Sequence, residues 1–337
     1  MTTDPHFSKT LLLVPMKGDH QGSEFLDYAP TPHSITRSGD SVYTSTSQSK
    51  YYGSSAFFHG SRLTVHSDFK PDLGSHDFTI ECWIRPDVLP DGSTNNRFKT
   101  LLSRYYTSTN NRSFGFHIRK DSTSDPHDFG IHLSSNGSDW SFHYWPHSME
   151  LHTWYHVAVV RYGNNILGFI DGLQLGDAIP YTLAVNFNPS LQVYIGTQQG
   201  RYATNMFHGY MQDLRLTVGV ARYTDDFTPP GPLLVNKYIN GRVKVYGVPA
   251  PRPVHLYHRA SGLLHSSVTS DAVTGDFQFG PILDAGGGGT GLFTVVAVDD
   301  LHNSLAFDRV VPHGTLAGPF KLTASIEGDF EMVVGGS

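Results

Sequence analysis

Phe207–Pro230, FHGYMQDLRLTVGVARYTDDFTPP, decides how this chain is read. Its first half alternates apolar and polar residues, as a strand with two distinct faces must. An arginine-bearing turn follows, and Pro229-Pro230 then ends sheet pairing, since proline fixes φ and offers no amide donor. The segment therefore closes a β domain. Upstream, Asp77–Pro86 (DFTIECWIRP) places Phe78, Ile80, Cys82 and Ile84 on one face and Thr79, Glu81, Trp83 and Arg85 on the other. Bulk on both sides predicts an inner strand. Trp154–Arg161 and Ile166–Ile170 flank Gly163-Asn164-Asn165, and Asp171-Gly172 follows; both are hairpin signals whose turns call for residues at positive φ. Leu11–Val14, two pieces within Ser55–Val65, and Val193–Gly196 supply further short strands.

Composition agrees. With 17 Tyr, 21 Phe, 34 Gly and 20 Pro among 337 residues, and only 16% charged residues, the chain suits strands joined by tight turns. Its length implies two domains. A formal charge of −6 without any Lys/Arg run argues against nucleic acid or an anionic membrane as the main partner. The single cysteine, Cys82, excludes an intrachain disulfide and reads as a buried thiol. MTTDPHFSK lacks an apolar signal core and no apolar run approaches a membrane span, so the expectation is a protein made in a reducing cytoplasm without membrane insertion.

Taken together, the four blocks resemble, in order and spacing, the laminin-G-like jelly roll of the concanavalin A-like superfamily. The wording GVARYT…FTPP is similar to the branch found in bacteriophage virion proteins. The resemblance implies an antiparallel jelly-roll β-sandwich over residues 10–227, after an N-terminal arm at 1–9. Thr228-Pro-Pro-Gly-Pro232 opens a stiff linker assigned to 228–240. Residues 241–313 resemble a smaller carboxypeptidase-regulatory, or transthyretin-like, sandwich, whose D-x-x-G-x-F/Y-x-F turn appears as Asp271, Gly275, Phe277 and Phe279 with one residue more before the glycine. The tail, 314–337, reads as an added edge strand or a subunit contact.

Chemistry is sparse. Hydrolases of the superfamily carry paired acids as E-x-D-x-x-E, because glycoside cleavage needs two carboxyl groups across the bond. The glutamates here, Glu24, Glu81, Glu150, Glu327 and Glu331, form no such pair in the sandwich. The 19 histidines show no zinc or catalytic spacing, and Gly286–Gly291 precedes a strand instead of a phosphate-binding helix. No catalytic residue, metal or cofactor is expected. The resemblance does imply calcium at the sandwich rim, through F-D-G and D-D-x-R motifs; their counterparts are Met16-Lys17-Gly18 and Gln212-Asp213-Leu214-Arg215. Lys17 stands where a carboxylate would, so calcium is disfavoured. Either the Lys17 ammonium fills the cation position against Asp213 or Asp27, or it points to solvent. Glu81 and Arg215, both mid-strand, are expected to form a buried structural ion pair.

Polar loops with aromatics suit sugar binding, by stacking and planar hydrogen bonding. Candidates are Tyr105, Tyr106, Asn110, Asn111 and Arg112 in the loop 105–112; Arg201 and Tyr202 in the loop Gln198–Tyr202; and Trp140 and Trp145 in Trp140–Trp145. Packing or subunit contact is the competing account of the same rings. Two functional classes remain open. The first is a non-enzymatic virion component, tail-associated or head-decorating, contacting other virion proteins, forming a homo-oligomer with a trimer favoured, and touching host-surface glycan. The second is a secreted bacterial adhesin or glycoside hydrolase.

Overall fold

A computed structural model describes residues 4–106, 111–198, 203–233, 235–245, 248–258, 264–284, 293–299, 303–310, 322–326 and 330–335. It divides into two units, His6–Leu233 and Leu234–Ser337 with Met1–Pro5.

The larger unit is a two-sheet antiparallel sandwich. One sheet runs, in spatial order, Leu173–Gln174, Asn165–Ile170, Tyr155–Tyr162, Phe78–Pro86, His208–Val218, Ser55–His59 and Val42–Ser45, with Ile179–Pro180 added beside Asn165–Ile170. The other runs Ser141–Pro146, Asp128–Leu133, Arg112–Arg119, Phe98–Tyr105, Tyr194–Ile195, Arg62–Val65 and Ile35–Ser38. Phe78, Ile80, Cys82, Ile84, Val157 and Val159 from the first sheet bury against Phe114, Phe116, Ile118, Phe129, Ile131 and Leu133 from the second. Alternate positions of each strand thus build one shared core.

His208–Val218 has two partners along one edge. His208–Met211 pair with Ser55–His59, and Leu214–Thr217 pair with Thr10–Val14, so the first and last strands of the unit join. Gln212 and Asp213 lie between these partners, where register against Phe78–Pro86 shifts and Asp213 takes φ +53°. A bulge at this point turns both side chains toward the Lys50–Ser54 loop. The Asp171-Gly172 turn has φ +51° and +81°, the pair a two-residue hairpin needs. Only glycine fits at 172, since a Cβ would lie 1.8 Å from the Phe227 carbonyl oxygen.

The smaller unit also has two sheets. One contains Val248–Pro249, Val235–Val245, Phe330–Gly335 and Leu322–Ile326 in order, with Asp276–Asp284 on Val235–Val245; the other is Leu264–Thr269, Pro253–His258, Phe293–Asp299 and Asn303–Val310. Val243, Val254, Leu256, Phe277, Phe279, Val295 and Ala297 are buried. The Asp271 carboxylate accepts from the Val273 and Thr274 amides, shaping the turn before Phe277. Two expectations change. The linker ends earlier than residue 240, because Val235 already pairs with Asp284. The tail's Phe330–Gly335 is an inner strand, between Val235–Val245 and Leu322–Ile326, so the sheet terminus falls to Leu322–Ile326. Long-range pairing satisfies its amides, and spacing along the chain carries no sign of that. The glycine run at 286–291 lies outside the described residues.

Candidate functional site

The two outer faces of the sandwich differ in kind. On the first sheet, Ala158, Val160, Leu167 and Phe169 point away from the core and are covered by Ala221, Tyr223 and Phe227. Tyr223 and Phe227 stack in parallel, 3.5 Å between centroids. Beneath them Glu81, 1% exposed, accepts from Arg215 Nε at 2.7 Å and from the Tyr223 hydroxyl at 2.7 Å, and contacts His156 Nε2 at 3.2 Å. Arg215 Nη2 also lies 2.6 Å from the carboxylate. Arg222 stands 3.9 Å from the same carboxylate and donates to the Thr217 hydroxyl. Burial alone would raise the Glu81 pKa; Arg215, the His156 hydrogen bond and Arg222 outweigh it and hold the carboxyl well below the usual range. The structure brings Glu81 and Arg215 together. Their role is structural: through Tyr223 and Arg222 the Glu81 carboxylate anchors the segment after Val218 to the sheet.

Among the described residues, no such segment covers the second sheet. Its outer face carries a groove of about 150 Å³ lined by Phe98, Tyr105, Arg112, His132, Trp140, Phe142 and Gln198. Strand alternation places His132 beside Phe142 and Gly115, and puts Tyr144 two residues along on the same side as Phe142. Gly115 hollows the face, because a Cβ there would come within 2.2 Å of Nε2 on both His117 and His132. The rings fill that hollow with their Nε2 atoms 3.0 Å apart. One ring must donate and the other accept, so at least one is neutral. Burial, reinforced by Arg119, pushes the His117 pKa down to about 3, which assigns it the neutral form. His117 Nδ1 contacts the Thr100 hydroxyl and His132 Nδ1 the Tyr144 hydroxyl.

Over this floor Trp140 leans on His132 with centroids 3.9 Å apart, and Tyr105 meets Trp140 edge-on at 5.0 Å. Phe142 is 53% exposed. Gln198 is 3% exposed, and its Oε1 has no hydrogen-bond partner among the described residues. A buried acceptor without a donor is costly unless a ligand or solvent hydroxyl supplies one. Planar rings beside a directed acceptor match a pyranose, which offers CH faces and hydroxyl donors.

Of the sequence candidates, Tyr105, Arg112 and Trp140 meet at this groove. Trp145 does not: it faces inward at 5% exposure, packs on Gly168 and donates Nε1–H to the Asp177 carbonyl. Period-two alternation from Trp140 separates the two tryptophans, so that signal was present. Asn111 is spent on an Asn188 amide, and the Tyr106 amide donates to the Asn111 carbonyl at the groove's edge. Asn110, Arg201 and Tyr202 lie outside the described residues. Phe98 and His132 join the site without having been singled out; Phe142, in the Trp140–Trp145 strand, and Gln198, at the start of the polar loop 198–202, both carried a sequence signal.

At the rim, Lys17 pairs with neither proposed acid. Asp213 accepts from the Tyr52 hydroxyl at 2.8 Å and the Leu233 amide at 3.2 Å, while Asp27 accepts from Leu13, Ala29 and His33 amides. Loop closure consumes both carboxylates. Burial, opposed by Tyr52, raises the Asp213 pKa to about 7. Among the described residues no three His, Cys, Asp or Glu side chains are grouped to hold a metal ion, and no helix is long and apolar enough to cross a membrane.

Residues 59–220, just under half the chain, match the Laminin_G_3 model, described as the concanavalin A-like lectin/glucanases superfamily. The larger unit has the concanavalin A-like fold. Similar solved structures include domain 4 of an extracellular arabinanase from Geobacillus stearothermophilus in complex with arabinotriose, at 14% identity over 63% of this chain and 94% of that one, TM-score 0.42. The binding domain of Paraclostridial mosquitocidal protein 1 is 9% identical over 78% of this chain and 64% of that one, TM-score 0.45. A heptameric pentraxin from Limulus polyphemus is 18% identical over 47% and 68%, TM-score 0.33. No curated protein matches the chain.

Proposed function

We propose that this concanavalin A-like protein is a non-enzymatic glycan binder that takes sugar in the groove of its second sheet. The observation that carries this reading is the unpartnered Gln198 Oε1, buried in a groove whose walls are Tyr105, Trp140 and Phe142. A sugar hydroxyl satisfies the acceptor while a CH face covers Phe142. Among the described residues no carboxylate lines the groove, which supports a binding role over the acid-pair chemistry of glycoside hydrolysis. The protein is further read as a bacteriophage virion component, tail-associated or head-decorating and synthesised in the host cytoplasm. The GVARYT…FTPP wording supports that assignment. Homo-oligomerisation, as a trimer, and contact with other virion proteins would run through residues after Asn240, where Leu322–Ile326 ends its sheet among the described residues and would offer an edge for strand addition.

Screening the full-length chain against immobilised host-surface polysaccharides, beside Trp140→Ala, tests the central claim. Binding by the wild type with at least a tenfold loss in the variant is expected. Retention of no polysaccharide, or binding indifferent to Trp140, overturns it; steady release of reducing sugar would move the hydrolase reading ahead. Labelling the chain on purified particles tests the virion assignment.

A further inference from the structure

We propose that the groove selects acidic glycans, those bearing a carboxylate or a sulfate ester, and that Arg112 is the residue that reads the charge. This rests on the glycan-binding reading above and adds the substrate class.

Arg112 reaches the groove by an irregularity in the sheet. Phe114, Phe116 and Ile118 face the core, so strict alternation would send Arg112 inward too. The register between Phe98–Tyr105 and Arg112–Arg119 shifts at Arg104/Tyr105, which sets Arg112 opposite Tyr105 and aims it outward. Its guanidinium lies 5.4 Å from the Trp140 ring centre, and Nη1 donates to the Ser138 carbonyl. No carboxylate pairs with it among the described residues. Arg119, on the same strand, shows the contrast: it is 3.0 Å from Asp121 and 3.7 Å from Asp128. One arginine is neutralised by the protein and the other is left with a fork of donors beside a sugar platform. A planar fork matches carboxylate and sulfate oxygens in two-point geometry, which a neutral hydroxyl cannot return. The positive charge also stands on a chain of formal charge −6, so the attraction is local to the groove. General adhesion to polyanions is disfavoured by the rest of the surface.

Affinity electrophoresis of the full-length protein through gels containing polygalacturonate or alginate (carboxylate), chondroitin sulfate or λ-carrageenan (sulfate), and dextran, mannan or laminarin (neutral) tests the assignment. Wild type should be retarded at least tenfold more strongly by one or more acidic polymers than by the neutral ones. Which acidic gel retards it distinguishes carboxylate from sulfate. Arg112→Gln should abolish that retardation, and Arg112→Lys should keep part of it, with thermal midpoints confirming that both variants fold. Retardation by neutral polymers alone, or acidic retardation unchanged in Arg112→Gln, overturns the acidic selectivity and leaves glycan binding standing. Retardation by none of the polymers counts against both.

Discussion

The two outer faces of the larger unit are built on the same alternation, yet one is closed and the other open. On the first sheet the outward residues of Phe78–Pro86 and Tyr155–Tyr162 include Glu81 and His156, and the chain returns after Val218 to cover them with Arg222, Tyr223 and Phe227. On the second sheet the outward residues are Phe142, Tyr144, His132 and Arg112, and Gly115 hollows the surface beneath them. Charge that is covered becomes scaffold, since the Glu81 carboxylate finds its cationic and hydroxyl donors, Arg215 and Tyr223, inside the protein. Aromatic surface with a buried acceptor, and with an arginine that no carboxylate among the described residues pairs, is available to a ligand. The comparison teaches that the number of polar groups on a face says little about function; what matters is whether the protein itself has paired them.

The comparison breaks most visibly at Glu81. Glu81→Ala removes the buried carboxylate that Arg215, His156 and Tyr223 share, and should destabilise the fold by about 3–5 kcal/mol. Urea denaturation checks this, through a lowered midpoint at unchanged slope. A loss below about 1 kcal/mol would mean that the covering segment is held by Tyr223 and Phe227 packing alone.

The covered side also sharpens into two acids of opposite pH response. Glu81 has a depressed folded pKa, so its contribution is complete above its ordinary value near 4.5 and is lost as pH falls. Asp213 is raised from 3.8 to about 7, so the folded state holds its proton more tightly than the unfolded one. Its contribution is fully present below 3.8 and is lost as pH rises through 7. The thermal midpoint of the wild type should therefore fall between pH 5.5 and 8.5, and Asp213→Asn, which keeps an acceptor for the Tyr52 hydroxyl, should flatten that slope. Parallel slopes in the two proteins would show Asp213 to be ionised throughout.

The smallest stability effect belongs to the open face. Phe142→Ser removes a ring that is 53% exposed and should leave stability within about 0.5 kcal/mol. Calorimetric titration with a polysaccharide retained by the wild type should nonetheless show weaker binding. A folding defect instead would mark Phe142 as part of the packing.

Much of this was legible residue by residue. Alternation in Asp77–Pro86 assigns Phe78, Ile80, Cys82 and Ile84 to the core and Glu81 to the opposite face, because side chains on a strand repeat every two residues whatever surrounds them. The Glu81 and Arg215 pairing followed from the expense of burying either charge alone. Local rules failed where a bulge resets the register. Asp213 at φ +53° bonds to Tyr52 in place of Lys17, and Arg112 turns outward against the parity of its own strand.

By itself, then, the amino-acid sequence determined antiparallel strands, their inner faces and the Asp171-Gly172 turn, since each depends on periodicity or turn chemistry along a short stretch, while the sandwich entered through the family resemblance. Tertiary structure alone decided that Tyr105, Arg112, His132, Trp140, Phe142 and Gln198 share one groove. Those residues come from four strands, the loop before Ser141–Pro146 and the segment after Tyr194–Ile195, and their meeting is fixed by cross-strand register and by a bulge, which are set by long-range pairing.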